Sequence, residues 1–239
     1  PCMVIDMDKA RKNIADMQRA ADAAGCALRP HIKTHKMVRF AKMQIAAGAK
    51  GITCAKLSEA EIMADGGIDD IFIAYPLIGK AKTDRLFALC QKVKRLILAV
   101  DSLAGAQQLE ACGAQYGLVF EVRLEIDTGA KRTGVQQNTV ALARQIAALP
   151  HLRLTGIFTF KSLIYHGAPT IDNALAAEEE GALMQACAQE LRSAGIPITD
   201  ISAGSSPTGL AVAATGMVTE IRPGTYIFKD YMLHCEKAA

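Results

Sequence analysis

From Val4 to Phe228 one pattern recurs: a short β-rich apolar run, then a stretch with helical apolar periodicity, then glycine or a polar turn. No other feature limits the fold so strongly. Runs at Val4-Ile5, Ala27 to Lys33, Gly51 to Ala55, Asp70 to Tyr75, Leu96 to Val100, Val119 to Ile126, Leu152 to Phe160, Ile198 to Ala203 and Thr219 to Phe228 read as strands. The first helical stretch, Asp8 to Ala24, sets Ala10, Ile14, Met17 and Ala21 on one face. Asp8 is placed to cap its start and Gly25 to close its end. Ser58 and Glu61 have capping-box spacing at the head of Leu57 to Asp65. A unit of about 20 to 35 residues is the length of a βα crossover, which makes successive strands parallel. About eight or nine such units predict a closed (β/α)8 TIM barrel rather than an open doubly wound sheet. No GxGxxG follows the first run, which argues against a dinucleotide-binding sheet.

No linker, low-complexity stretch or composition shift divides the 239 residues, so the expectation is one α/β domain over residues 1–228. With 51% apolar and 21% charged residues, a large core is available. A net charge of +3 is too small for a nucleic-acid footprint. No apolar run approaches the ~18 residues of a membrane span. The N-terminus lacks the basic and apolar regions of a secretion signal. Seven cysteines, odd in number and without CxxC spacing, read as reduced core residues of a cytoplasmic protein. His234 and Cys235 are adjacent and receive no metal role.

In a barrel the chemistry sits at the C-terminal ends of the strands. Four polar segments fall there. Arg29-Pro30-His31-Ile32-Lys33-Thr34-His35-Lys36 follows the second run; proline holds Arg29 extended, so the segment ends a strand. Crowded by cations, Lys33 is a candidate for the lowered amine pKa that Schiff-base formation needs. The same residues also suit a basic surface loop or an anion-binding patch. Asp127 to Gly134 follows the sixth run and carries Arg132, either a donor to a cofactor's oxygen or a surface arginine. Ser202 to Thr208 follows the eighth; Gly204, Ser205 and Ser206 read as a phosphate loop, or as a plain helix cap. Tyr226, after Pro223-Gly224, is a phosphate contact or a rim aromatic, and Tyr165 and His166 are acid–base groups or structural. Asp172 with Glu178, Glu179 and Glu180 reads as a solvated helix start. A phosphate grip opposite a reactive lysine suggests pyridoxal 5'-phosphate.

Taken together these segments resemble the fold-type III pyridoxal-phosphate proteins of the alanine racemase barrel, and most of all the D-threonine aldolase and metal-dependent D-serine dehydratase group. The carriers are Arg29 to Lys36, Gly51 to Glu61, Glu125 to Gly134, Ser202 to Thr208 and Thr219 to Tyr226. The resemblance implies that Lys33 holds the cofactor, that Arg132 approaches its phenolic oxygen, and that Tyr165, Gly204, Ser205, Ser206 and Tyr226 complete the cofactor site. It implies a small-molecule D-amino acid substrate, a homodimer, and no membrane or nucleic-acid partner. In such relatives a β-rich domain follows the barrel and carries divalent-metal ligands. Residues 229–239 read as a tail or the start of that domain, so the barrel is expected without its C-terminal β domain and without those ligands.

The expected activity is a lyase reaction on a β-hydroxy-D-amino acid such as D-threonine or D-serine, by retro-aldol cleavage or β-elimination. The alternatives are a non-catalytic pyridoxal-phosphate barrel, an amino acid racemase, and a cofactor-independent Schiff-base aldolase holding a phosphorylated sugar.

Overall fold

The computed structural model describes residues 4–229. Eight parallel strands form one sheet: β1 (Ala27–Leu28), β2 (Ile52–Cys54), β3 (Asp70–Ile73), β4 (Arg95–Val100), β5 (Phe120–Glu125), β6 (Leu152–Phe158), β9 (Asp200–Ala203) and β10 (Glu220–Ile221). The strand order is β1-β10-β9-β6-β5-β4-β3-β2. The two end strands then meet each other. Lys50 N–H donates to Leu28 O at 2.9 Å and Thr53 N–H to Pro30 O at 2.8 Å, which closes the sheet into a barrel. A two-residue turn at His166 and Gly167, both at positive φ, joins a small hairpin, β7 (Ile164–Tyr165) with β8 (Ala168–Pro169), above the barrel.

The outer ring is α1 (Met7–Ala23), α2 (Val38–Ala46), α3 (Leu57–Asp65), α4 (Lys80–Cys90), α5 (Leu103–Tyr116), α6 (Thr139–Ala147), α7 (Asn173–Ser193) and α8 (Gly209–Ala214). Because α1 packs on β1, α8 and the turn Thr225–Ile227, it fills the gap that a helix after the last strand would otherwise close. The main core lies between strands and helices, where Leu28, Ile52, Leu98, Val122, Ile157 and Ile201 meet Met17, Leu86, Leu109 and Met184. The lumen is plugged separately by Phe72, Ile97, Ala99 and Phe158, with the two phenyl rings edge to face at 5.0 Å.

Several expectations are corrected. Val4-Ile5 is not a strand: Ile5 precedes the cap Asp6 and packs near Ala10, so it staples the start of α1. Every later strand therefore moves down by one place, and Lys33 follows the first barrel strand rather than the second. Asp6, not Asp8, caps α1, accepting from Asp8 N and Lys9 N at 3.1 Å. Gly25 closes it at φ +63°, as the sequence predicts. The Ser58–Glu61 box does not form; Glu59 Oε2 reaches back to Ala55 N at 2.7 Å, and Glu61 pairs with Arg85. Asp172 does cap α7, but Glu180 is fully buried and not solvated. The five described cysteines, Cys26, Cys54, Cys90, Cys112 and Cys187, are free and at least half-buried. No described helix is long and apolar enough to cross a membrane. Most of the tail 229–239, with His234 and Cys235, lies outside the described residues.

Candidate active site

The N-terminal end of the lumen is built from charge. Arg29, fully buried, donates from Nε to Glu220 Oε2 at 2.8 Å and from Nη1 to Asp70 Oδ1 at 2.6 Å. Gly51 makes room for it, since a Cβ there would collide with the guanidinium. Arg123 donates to Glu220 Oε1 at 2.5 Å and to Asp200 Oδ2 at 3.0 Å. Burial opposes the charge on Glu220, but Arg123 and Arg29 hold its carboxyl well below the usual carboxylate range. Arg29 therefore leaves the cationic octapeptide altogether and turns to the barrel floor.

What remains of that octapeptide sits at the mouth. The β1 ladder continues through Arg29 N to Ile221 O and His31 N to Pro223 O, both 3.0 Å, and then the chain turns into a short 3-10 helix, Ile32–Thr34. Lys33 stands on that turn, with His31 Nδ1 accepting its N–H at 3.3 Å. Its amine lies 5.2 Å from the centroid of the Phe160 ring, and the Arg132 guanidinium lies 4.8 Å from the same ring. Although the residue as a whole is exposed, partial burial of the amine lowers its pKa, and the Arg132 and Arg222 charges lower it further. His31 is held well below its ordinary value by burial and by the same cations, so its ring is neutral at pH 7.

Lys33 opens onto a cavity of about 170 Å³. Across it stand Gly204, Ser205, Ser206 and Pro207 after β9, with Arg222, Gly224 and Thr225 after β10, and Phe160 after β6. No carboxylate is among the lining residues. Gly204 adopts φ +84°, and a Cβ there would press within 2.8 Å of Gly209 Cα, so only glycine fits. Ser206 Oγ accepts from Gly224 N at 3.0 Å and Thr225 N at 2.9 Å, which ties the two late loops together. Gly204 N–H and Ser205 N–H are turned away from the cavity, onto Glu180 and Thr208. The loop therefore meets a ligand through hydroxyls more than through those two amides.

The structure brings Lys33, Gly204, Ser205 and Ser206 into one cavity and sets Arg132 at its edge. Tyr165 and Tyr226 are not among the lining residues. Tyr165 lies on the hairpin against the His166 ring, 4.0 Å between centroids. Tyr226 is buried, its hydroxyl accepting from Gln44 Nε2 at 2.9 Å. Arg222 carries more of the site than its segment suggested. It donates from Nη1 to Ser202 Oγ at 2.6 Å and from Nη2 to Thr159 O; burial pulls it down to about 10, still cationic at neutral pH. Its position after β10, at the C-terminal end of a barrel strand, was the available signal. A larger cavity of about 520 Å³ lies between α1 and the last turn. There Asp6 is committed to capping and Asn13 to Ile227 O. Among the described residues no group of three or more His, Cys, Asp or Glu is placed to hold a metal ion.

Known proteins show the same barrel. The D-threo-3-hydroxyaspartate dehydratase of Delftia sp. (strain HT23) is 40% identical over 237 residues, covering 98% of this chain and 62% of the relative. The D-threonine aldolase of Arthrobacter sp. is 33% identical over 232 residues, covering 96% of this chain and 61% of the relative. The crystal structure of D-threonine aldolase from Filomicrobium marinum superposes with a TM-score of 0.89 at 28% identity, covering 96% of this chain and 63% of that one. The chain thus spans about three fifths of the length of these relatives. The family model described as alanine racemase, N-terminal domain, matches residues 5–232, and the chain belongs to that family.

Proposed function

We propose that this barrel binds pyridoxal 5'-phosphate and forms the cofactor-holding part of a lyase that acts on β-hydroxy-D-amino acids. The observation that carries the reading is the placement of Lys33, its amine pKa lowered, in one carboxylate-free cavity with the Ser205 and Ser206 hydroxyls and Arg222. The donor set fits a phosphorylated aldehyde. Hydroxyls and cations accept the phosphate's charge, and an amine that loses its proton readily is the group that attacks an aldehyde. Bound there, the cofactor would supply an electron sink for breaking a bond at the substrate's α-carbon.

The chain's own residues would divide the work as follows. Lys33 Nζ would hold the cofactor's aldehyde group, and as a free amine would hold or move a proton at the substrate's α-carbon. Ser205 and Ser206 bind the phosphate, and Gly204 lets the backbone turn beneath it. Arg132 and Arg222 keep the cavity cationic, which favours the neutral form of Lys33 and draws in an anionic amino acid. Phe160 covers the Lys33 amine and limits its access to water. Tyr165 and Tyr226 enter this reading only as supports around the site. A divalent metal would be held outside the described residues.

Relatives named as aldolases and as dehydratases support the lyase class and the D-configured, β-hydroxylated substrate. Free cysteines support a reducing, cytoplasmic location, and the homodimer of the resemblance belongs to the same reading. The experiment is spectroscopic. Protein loaded with the cofactor is titrated with D- and L-forms of threonine, serine and 3-hydroxyaspartate. The visible spectrum changes with the D-forms; an equal response to both enantiomers overturns the assignment. Products then separate the reactions, since an aldolase releases glycine and an aldehyde, and a dehydratase a keto acid and ammonia.

A further inference from the structure

Glu180 lies on α7 behind the serine-glycine loop and is fully buried. Its Oε1 accepts the Gly204 N–H at 3.1 Å, and its Oε2 is 3.1 Å from Thr208 Oγ1. Thr208 Oγ1 accepts the Ser205 N–H at 3.1 Å and stands 3.2 Å from Ser205 Oγ. Carboxyl, threonine and serine thus form a chain that ends on a hydroxyl lining the cavity.

A threonine hydroxyl has a single hydrogen, so the chain has a direction. If Glu180 donates to Thr208, then Thr208 donates to Ser205, and the Ser205 hydrogen is free to point into the cavity. If Glu180 is ionised, Thr208 must donate to it. Ser205 is then free to donate to Thr208, and turning its hydrogen toward the cavity costs that bond. The first arrangement offers an anion the Ser205 hydrogen without losing a bond, and the second offers it only by breaking one. Burial favours the neutral carboxyl, while the Gly204 and Thr208 bonds and the charges of Arg222 and Lys161 act against it.

We propose that Glu180 is a positioning residue for phosphate recognition: acting through Thr208, it fixes the loop at Gly204 and directs the Ser205 hydroxyl hydrogen toward the phosphate of the ligand. This rests on the cofactor reading above, and the test separates the two. Equilibrium binding is measured by absorbance for pyridoxal 5'-phosphate and for pyridoxal, which lacks the phosphate. Inorganic phosphate binding is followed by phosphorus NMR. Circular dichroism confirms the fold of each variant.

Glu180→Ala lowers affinity for pyridoxal 5'-phosphate about tenfold, the size of a lost charge-assisted hydrogen bond, and leaves pyridoxal unchanged. Glu180→Gln accepts from Gly204 and donates to Thr208, so it stays within about twofold of wild type. Thr208→Val reproduces the loss and Thr208→Ser restores it, which keeps the test open if Glu180→Ala does not fold. The proposal is overturned if Thr208→Val leaves phosphate affinity intact, if pyridoxal and its phosphate weaken equally, or if Glu180→Gln is as impaired as Glu180→Ala. If wild type binds phosphate in a Glu180-dependent way but no pyridoxal, the cofactor reading fails and the positioning role stands. If it binds none of the three, both fail.

Discussion

The two ends of the barrel lumen treat positive charge in opposite ways. At the floor, Arg29 and Arg123 converge on Glu220, with Asp70 and Asp200 taking further donors from them. At the mouth, Lys33, Arg132 and Arg222 gather around a cavity with no carboxylate in its lining. The same residue types serve as internal ties in one place and as a cationic surround suited to an anion in the other. At the floor low local dielectric makes the pairing consequential, since a buried cation must be answered by the chain; at the mouth Arg222 is buried while Lys33 and Arg132 are exposed. The difference predicts that floor substitutions change stability and mouth substitutions change binding.

Breaking the floor should give the largest effect. Glu220→Ala leaves two buried guanidinium groups without their shared partner, and a loss of about 3–5 kcal/mol in unfolding free energy is expected from urea titration. The pH dependence has a definite sign. Because Glu220 is held below the usual range, its contribution is present above the unfolded carboxylate pKa of about 4 and disappears as pH falls toward the folded value. Glu220→Ala should therefore flatten the acid side of the stability curve. A floor substitution that altered cofactor affinity without altering stability would break the comparison.

A paired substitution at the mouth, Ser205→Ala with Ser206→Ala, should do the reverse. Affinity for pyridoxal 5'-phosphate falls by at least about tenfold, at about 1.4 kcal/mol per factor of ten. Unfolding changes less than in Glu220→Ala, since the groups that lose a partner are the uncharged Gly224 and Thr225 amides and the Thr208 hydroxyl. Calorimetric titration beside urea unfolding separates the two readouts. The smallest effect is expected from Arg132→Gln. Removing that charge lets the Lys33 pKa rise toward its ordinary value, so the pH at which the amine captures the aldehyde moves upward while maximal capture persists. No movement would mean that burial and Arg222 tune the lysine without Arg132.

Much of the barrel was legible because apolar periodicity reports local geometry directly. Ala10, Ile14, Met17 and Ala21 are all buried along α1, and Gly25 and Gly204 stand where positive φ is required. Val4-Ile5 misled because two apolar residues before a cap look the same whether they start a strand or staple a helix. Lys33 and the serine loop were visible as segments at strand ends, though the 3-10 turn under Lys33 was not. Arg29, Arg222 and Glu180 show where sequence stops. Arg29 meets Glu220 across 191 positions and Glu180 meets Gly204 across 24. In the sequence, one belongs to a cationic cluster and the other to an acidic run. Which face of a long helix is buried depends on loops that arrive later in the chain, and no local pattern encodes that.

Lys33 and the cations at the mouth are proposed to capture a phosphorylated aldehyde. Titrating the purified chain with pyridoxal 5'-phosphate, and following the visible absorbance band expected of a lysine-held cofactor, tests this directly. The expected result is a saturable band in wild type that Lys33→Ala abolishes while the fold is kept. A wild-type protein that stays colourless, or a Lys33→Ala variant with an undiminished band, would contradict it.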